Sequence, residues 1–242
     1  MQEYLYNDLY LLEKTHWWHK AKRTTVLTLL RRYLKTYAVP RILDVGCGTG
    51  ANLEAFTTIG NAWGLDNAKT AISYCKQRNL SQVKLGDAIA TPFKNNEFDA
   101  VTLLDVMEHV DDKKAIREAR RILKKEGIVL ITVPAYSFLW SRWDEVLGHK
   151  RRYTGKQLEI LLKNAGFTVV KLSYMYSFLV LPVYLIRFIK TKILKSEYGS
   201  DFTINNSVTN YFMSAMSDFE RQILLLAGVP FGMSIVCIAK KI

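Results

Sequence analysis

Short, mostly apolar runs recur along the first half of this chain, at residues 42–45, 62–66, 82–87, 98–104 and 127–133. Each is bounded by glycine, asparagine or charge, a pattern that predicts buried strands. Between them the apolar spacing lengthens, and residues 51–56, 69–78 and 112–123 read as helices. Residues 13–37 predict an earlier helix, with Val26, Leu27, Leu29, Leu30, Tyr33 and Leu34 on one face, basic residues opposite, and Pro40 as its stop. Strands alternating with helices predict a parallel sheet covered on both faces. Two later runs, 167–172 and 232–240, add strands. The stretches 134–156 and 173–230 are longer than strand connections need, and they predict a cap over the ligand end of the sheet.

The first strand runs directly into Gly46, Gly48 and Gly50, and a helix can start at Ala51. Strand, glycine loop and helix together cradle a nucleotide-like ligand. Two cofactor classes use this arrangement. A dinucleotide fits the glycine spacing with Ala51 in the last position, and Asp66 stands at the right distance for a ribose hydroxyl. Against it, Asp44 stands two residues before the first glycine, where a carboxylate repels a pyrophosphate but suits an ammonium group. Asp87 ends the third strand beside Ala88, and the dinucleotide reading gives it no role.

The run from Asp44 to Gly50 resembles motif I of the class I S-adenosylmethionine-dependent methyltransferases. The stretches 93–99, 105–109 and 118–127 are similar to the methyltransferase-11 group and the ubiquinone-type O-methyltransferases, so the resemblance covers nearly the whole chain. Glu126 stands where that group usually has proline. The resemblance implies an α/β, Rossmann-like fold of seven mostly parallel strands with helices on both faces. Its last strand runs antiparallel between the fifth and sixth, and a helical cap is inserted between the last two strands. One domain spans 1–242, with an N-terminal helical cap at 1–39, a core at 40–172 and 231–242, and the cap insertion at 173–230. S-adenosylmethionine is then the cofactor. Asp44 faces its ammonium, and Gly46, Cys47, Gly48 and Gly50 pass beneath it. Asp66 and Asn67 hold the ribose, Asp87 and Ala88 the adenine, and Leu104 and Asp105 close the methionine side.

Methyl transfer to oxygen needs a base. His109, after the fourth strand, and His149, in the cap among cationic residues that would keep it neutral, are the candidates. His16 and His19 flank Trp17 and Trp18 and read as interfacial. The ubiquinone-type enzymes imply a divalent ion on a Glu-x-x-Glu-His pattern. Asp105, Glu108 and His109 are similar to it and would suit magnesium, but the shorter Asp disfavours this. Arg151, Arg152 and Tyr153, with Trp140 nearby, are candidates to hold an anionic group on the acceptor.

The net charge of +12 from 34 basic and 22 acidic residues is clustered, at 14–35 and 150–195, and points to an anionic partner or a solvated surface. Nucleic acid is the rival substrate, but the Asn/Asp-Pro-Pro-aromatic motif that holds a flipped base is absent after the fourth strand. Residues 172–186 carry no charge and precede Arg187, Lys190, Lys192 and Lys195. At about 15 residues this run is short for a bilayer span. It suits either a membrane interface or a sixth strand continued by a buried cap helix. Either way an apolar cap implies an acceptor with an apolar, lipid-like portion. Cys47, Cys75 and Cys237 have no metal spacing, and residues 1–8 lack the pattern of a secretory signal. The expectation is a cytoplasmic enzyme, with contact at the inner membrane surface as an option. A regulatory subunit that binds the cofactor without turnover is the non-enzymatic alternative.

Overall fold

The computed structural model describes residues 3–36, 38–188 and 206–242. Two helices come first, α1 (Glu3–Leu12) and α2 (Trp17–Tyr33). There follow β1 (Arg41–Val45), α3 (Ala51–Phe56), β2 (Asn61–Asp66), α4 (Lys69–Gln77), β3 (Val83–Leu85), β4 (Phe98–Leu104), α5 (Asp112–Ile122) and β5 (Leu123–Pro134). The remaining elements are α6 (Arg142–Leu147), α7 (Gly155–Asn164), β6 (Phe167–Met175), α8 (Ser177–Phe188), α9 (Ser207–Leu226) and β7 (Ser234–Lys241).

The sheet has seven strands in the order β3-β2-β1-β4-β5-β7-β6, as the resemblance implies. β7 is antiparallel to both of its neighbours, and the other pairs are parallel. Side chains alternate across it, as the two-residue strand period requires. Leu43, Val45, Val101, Leu103, Val129 and Ile131 pack toward α5 and α7. Ile42, Ala100, Leu104, Ile128 and Leu130 pack toward α2, α3 and α9. The chain thus has helices on both faces because both strand faces are apolar.

Three expectations are refined. The helix expected at 13–37 is α2, which runs from Trp17 to Tyr33 and is capped by His16, accepting from the Trp18 N–H at 3.3 Å; a further helix, α1, precedes it and ends at Leu12. Leu5, Tyr6 and Leu9, one and then three residues apart, set the inner face of α1, a helical spacing that the sequence itself carries. The apolar run at 172–186 continues β6 to Met175 and then becomes α8, but the end of that helix is exposed rather than buried. Leu181 is 65% exposed, and Tyr184, Leu185 and Ile186 stand about half in solvent. Some members of the basic clusters are engaged within the protein. Lys14 pairs with Glu54, Arg151 with Asp112, Arg152 with Asp144 and Lys163 with Glu159. Lys190, Lys192 and Lys195 lie outside the described residues, as does the side chain of Arg187. Among the described residues, no helix is long and apolar enough to cross a membrane.

Candidate cofactor and acceptor site

A cavity of about 450 Å³ opens at the carboxyl ends of β1, β2 and β4, the usual ligand position in such sheets and an ordinary ligand-site volume. Gly46, Cys47, Gly48, Asp66, Asn67, Asp87, Ala88, Leu104 and Asp105 all line it. The loop is held by backbone bonds, with Gly46 and Cys47 N–H both donating to the Leu65 carbonyl. Gly46 has φ +71°, and a Cβ there would meet a Val106 methyl at 2.4 Å, so no other residue fits. Gly50 starts α3 with φ +93° and sits behind the cavity, against Cys75 and Leu80. It shapes the turn rather than touching a ligand.

Asp66 is the best-placed carboxylate. Gly48 N–H donates to one oxygen at 2.9 Å and Ala68 N–H to the other at 3.0 Å, fixing the group at the end of β2. Burial lifts its pKa above the ordinary range, with these bonds opposing. Tyr6 of α1 faces it: burial and the Asp66 charge push the phenol up to about 12. Asp87 is exposed and accepts from Ile89 N–H at 3.0 Å.

Asp44 is not where its place in the glycine motif suggests. It lies on the strand face that turns toward α2, registers with Thr102 of β4 and accepts from that hydroxyl at 2.5 Å. It is 1% exposed and does not line the cavity. Burial pushes its pKa up to about 7. The lining carboxylates are instead Glu13, Asp66, Asp87 and Asp105. Glu13 accepts from Thr49 of the glycine loop and from Arg78 at 2.5 Å, which ties α1 down over the loop. Asp105, at φ +55°, pairs with the buried ammonium of Lys22 and accepts from Thr132 at 3.0 Å. Burial alone would raise its pKa, but Lys22 holds it below the usual carboxylate range.

The two candidate bases meet at the other end of the cavity. His109 and His149 rings stand edge to face, 4.9 Å between centroids. The His109 Nδ1–H donates to the Gly148 carbonyl at 3.2 Å, leaving Nε2 as the acceptor. Burial, then His149, pushes the His109 pKa down to about 4, so the ring is neutral at pH 7. His149 Nδ1 lies 2.8 Å from Asp144 Oδ1, an acid that no functional motif of the sequence marks. Asp144 also takes two bonds from Arg152, at 2.8 and 3.0 Å. Burial opposes its charge, but His149 and Arg152 outweigh that and hold its pKa well below the usual range. A local signal for Asp144 does exist: with Ser141 it forms a capping box that starts α6. His149 Nε2 points toward Glu108 Oε1 at 3.9 Å. Glu108 is fully buried with neither oxygen hydrogen-bonded, and burial reinforced by Asp105 lifts its pKa well above the ordinary value.

The candidate metal set changes accordingly. Asp105 is engaged by Lys22, and the group that could converge on an ion is Glu108, His109 and His149. The anion-binding trio does not face the cavity. Arg151 pairs with Asp112, Arg152 with Asp144, and the buried Tyr153 hydroxyl bonds the Met107 carbonyl and Asp112. Each is structural because the carboxylates at the starts of α5 and α6, Asp112 and Asp144, take those donors. Trp140 is on the surface, its indole N–H at 3.5 Å from Glu145. His19, expected at an interface, lines the cavity together with Tyr6, Leu9, Glu13 and Lys22.

Residues 43–131 match the profile of a methyltransferase domain family, the methyltransferase-11 group. The fold is that of the class I methyltransferases, and residues 43–131 carry the match to their domain. S-adenosylmethionine is the cofactor of this family, and the cavity suits it: the carboxylates of Asp66 and Asp87 offer acceptors for hydroxyl and amino donors. At Gly48 a Cβ would meet only Leu9, at 3.6 Å. The methyltransferase is similar to demethylmenaquinone methyltransferase of Staphylococcus epidermidis, 34% identical over 138 residues, 51% of this chain and 56% of that one. It is 37% identical to the protein MJ1252 of Methanocaldococcus jannaschii over 101 residues, 41% of this chain and 39% of that one. The chain thus spans about half or less of the length of the curated relatives it matches first. A crystal structure of a SAM-dependent methyltransferase from Archaeoglobus fulgidus shares the fold at a TM-score of 0.58 and 21% identity, covering 90% of this chain and 94% of that one.

Proposed function

We propose that this methyltransferase moves a methyl group from S-adenosylmethionine to an oxygen of a small acceptor with an apolar, lipid-like portion. The observation that carries the reading is one cavity that holds the glycine loop, Asp66 and Asp87 at one end and His149 at the other. When bound, the cofactor supplies an electrophilic methyl on a sulfonium, displaced in line. Asp66 accepts the ribose hydroxyls, Asp87 the adenine amino group, and Tyr6 and Leu9 of α1 exclude water from above. Asp144 holds His149 with Nδ1 protonated, which leaves the Nε2 lone pair free to accept a proton. Nε2 takes the acceptor's hydroxyl proton as that oxygen forms its bond to the methyl carbon. Much of the rate then comes from alignment and desolvation.

The apolar acceptor is supported by the relative whose name specifies a demethylmenaquinone. The anionic element loses its support, since Arg151, Arg152 and Tyr153 are engaged within the protein. Calorimetric titration with S-adenosylhomocysteine, with NAD as the competing arm, comes first. A homocysteine-release assay over phenols and hydroquinones follows. Tight product binding and turnover with a hydroxyl acceptor support the reading. Preference for NAD, or methylation of amines alone, sinks it.

A further inference from the structure

Helix α9 has two faces of opposite use. Ser217, Glu220 and Leu224 are buried against the fold. Glu220 accepts from the Tyr176 and Ser177 N–H groups at 2.5 and 2.7 Å, so it caps the start of α8 and joins the two helices. The opposite face is apolar and open. Val208, Phe212, Met216, Phe219, Ile223 and Leu226 follow at steps of four and three, forming one stripe, and each is between 40% and 86% exposed. Tyr211 and Ala215 widen it, and its only exposed acid, Asp218, is paired with Arg221 at 3.0 Å. Counted at roughly 200 Å² per large side chain, α9 presents about 900 Å² of apolar surface, beyond the few hundred a soluble monomer usually leaves. The exposed end of α8 adds Leu181, Tyr184, Leu185 and Ile186, with Phe138 beside Tyr184 at 6.2 Å.

The side chains beside the C-terminal end of α9 are basic. Arg32 bonds the Leu225 carbonyl of α9 at 2.9 Å, and Lys171 of the edge strand adjoins Arg32. In sequence, α8 is followed by Lys190, Lys192 and Lys195 before the first acid, Glu197. We propose that the open faces of α8 and α9 lie in the interface of an anionic lipid bilayer, with Arg32 and Lys171 toward its headgroups. Apolar area, aromatic residues and a basic rim are what such a surface requires. The proposal stands independently of methyl transfer, because lipid binding is measured without turnover.

The test is co-sedimentation of the full chain with phosphatidylcholine vesicles, with and without phosphatidylglycerol, for the parent and the Phe212→Ser/Phe219→Ser variant. Both side chains stand in solvent, so the variant keeps the parent's melting temperature and its affinity for S-adenosylhomocysteine. The expected result is binding that requires phosphatidylglycerol and weakens on the order of 100-fold in the variant. Absence of vesicle binding, or binding equal in parent and variant, overturns the proposal. So does a parent dimer in sedimentation velocity that the variant abolishes without any vesicle binding, which assigns the face to a second copy.

Discussion

At the glycine-loop end of the cavity, Asp66 and Glu13 have their partners in place: backbone N–H groups for one, Thr49 and Arg78 for the other. At the histidine end, Glu108 is buried with both oxygens unpartnered, while Asp144 close by serves His149 and Arg152 at once. One end is organised before any ligand arrives. The other keeps a buried group whose ordinary state, charged, its surroundings oppose. A binding surface gains when its groups are already in position, whereas a reacting centre needs groups poised between two protonation states. Under the proposed function, the difference separates a holding end of the cavity from the groups behind a reacting one.

The largest expected effect breaks the reacting end alone. His149→Asn lowers kcat by about 10²- to 10⁴-fold with a hydroxyl acceptor while leaving the affinity for S-adenosylhomocysteine unchanged. Stopped-time turnover and calorimetry on the same preparation check this, and a parallel fall in both assigns His149 to binding. The reverse substitution, Asp66→Ala, weakens S-adenosylhomocysteine by roughly 100-fold, since two charge-assisted hydrogen bonds are lost. A change under threefold in titration would remove Asp66 from the ribose.

A smaller effect lies in pH. The buried Glu108 carboxyl titrates above its ordinary value of 4.5, so the folded protein keeps a proton that the unfolded chain releases. Stability therefore falls as pH rises from about 4.5 toward the folded pKa. Glu108→Gln replaces a neutral carboxyl with a neutral amide and removes that slope. The difference between thermal melts at pH 5 and pH 8 is expected to be smaller in the variant than in the parent, the remainder coming from Asp44 and Asp66, whose pKa values burial also raises. The smallest effect sharpens the boundary of the site. Arg151→Ala breaks a partly exposed pair with Asp112, worth under ~1 kcal/mol, and leaves both kcat and cofactor affinity alone.

The cofactor end is legible in the sequence because its determinants are local. Gly46, Gly48 and Asp66 are fixed by strand and turn chemistry within a few residues, and β2 brings Asp66 beside the loop by simple parallel pairing. Asp44 shows where locality misleads. Its place before the glycines suggests a ligand contact, but strand alternation turns it to the α2 face, onto Thr102. The histidine end depends on contacts between distant segments. His149 meets His109 across 40 positions of chain, and its partner Asp144 is readable only as a helix cap. Residues 150–153 mislead for a related reason: charge in a sequence does not reveal whether its partner is a ligand or a neighbour, and here Asp112 and Asp144 claim it.

The bond of Glu13 to Thr49 and Arg78 bears on inheritance. The stretch that matches the family, residues 43–131, holds the loop and most of β1 to β5, yet Tyr6, Leu9 and Glu13 wall the same cavity from outside it. A chain shortened to begin at β1, or a chimera that exchanges only the family stretch, would retain the scaffold and forfeit a wall. The transferable module and the working module are therefore different lengths of polypeptide, and swapping experiments in this family should cut before α1.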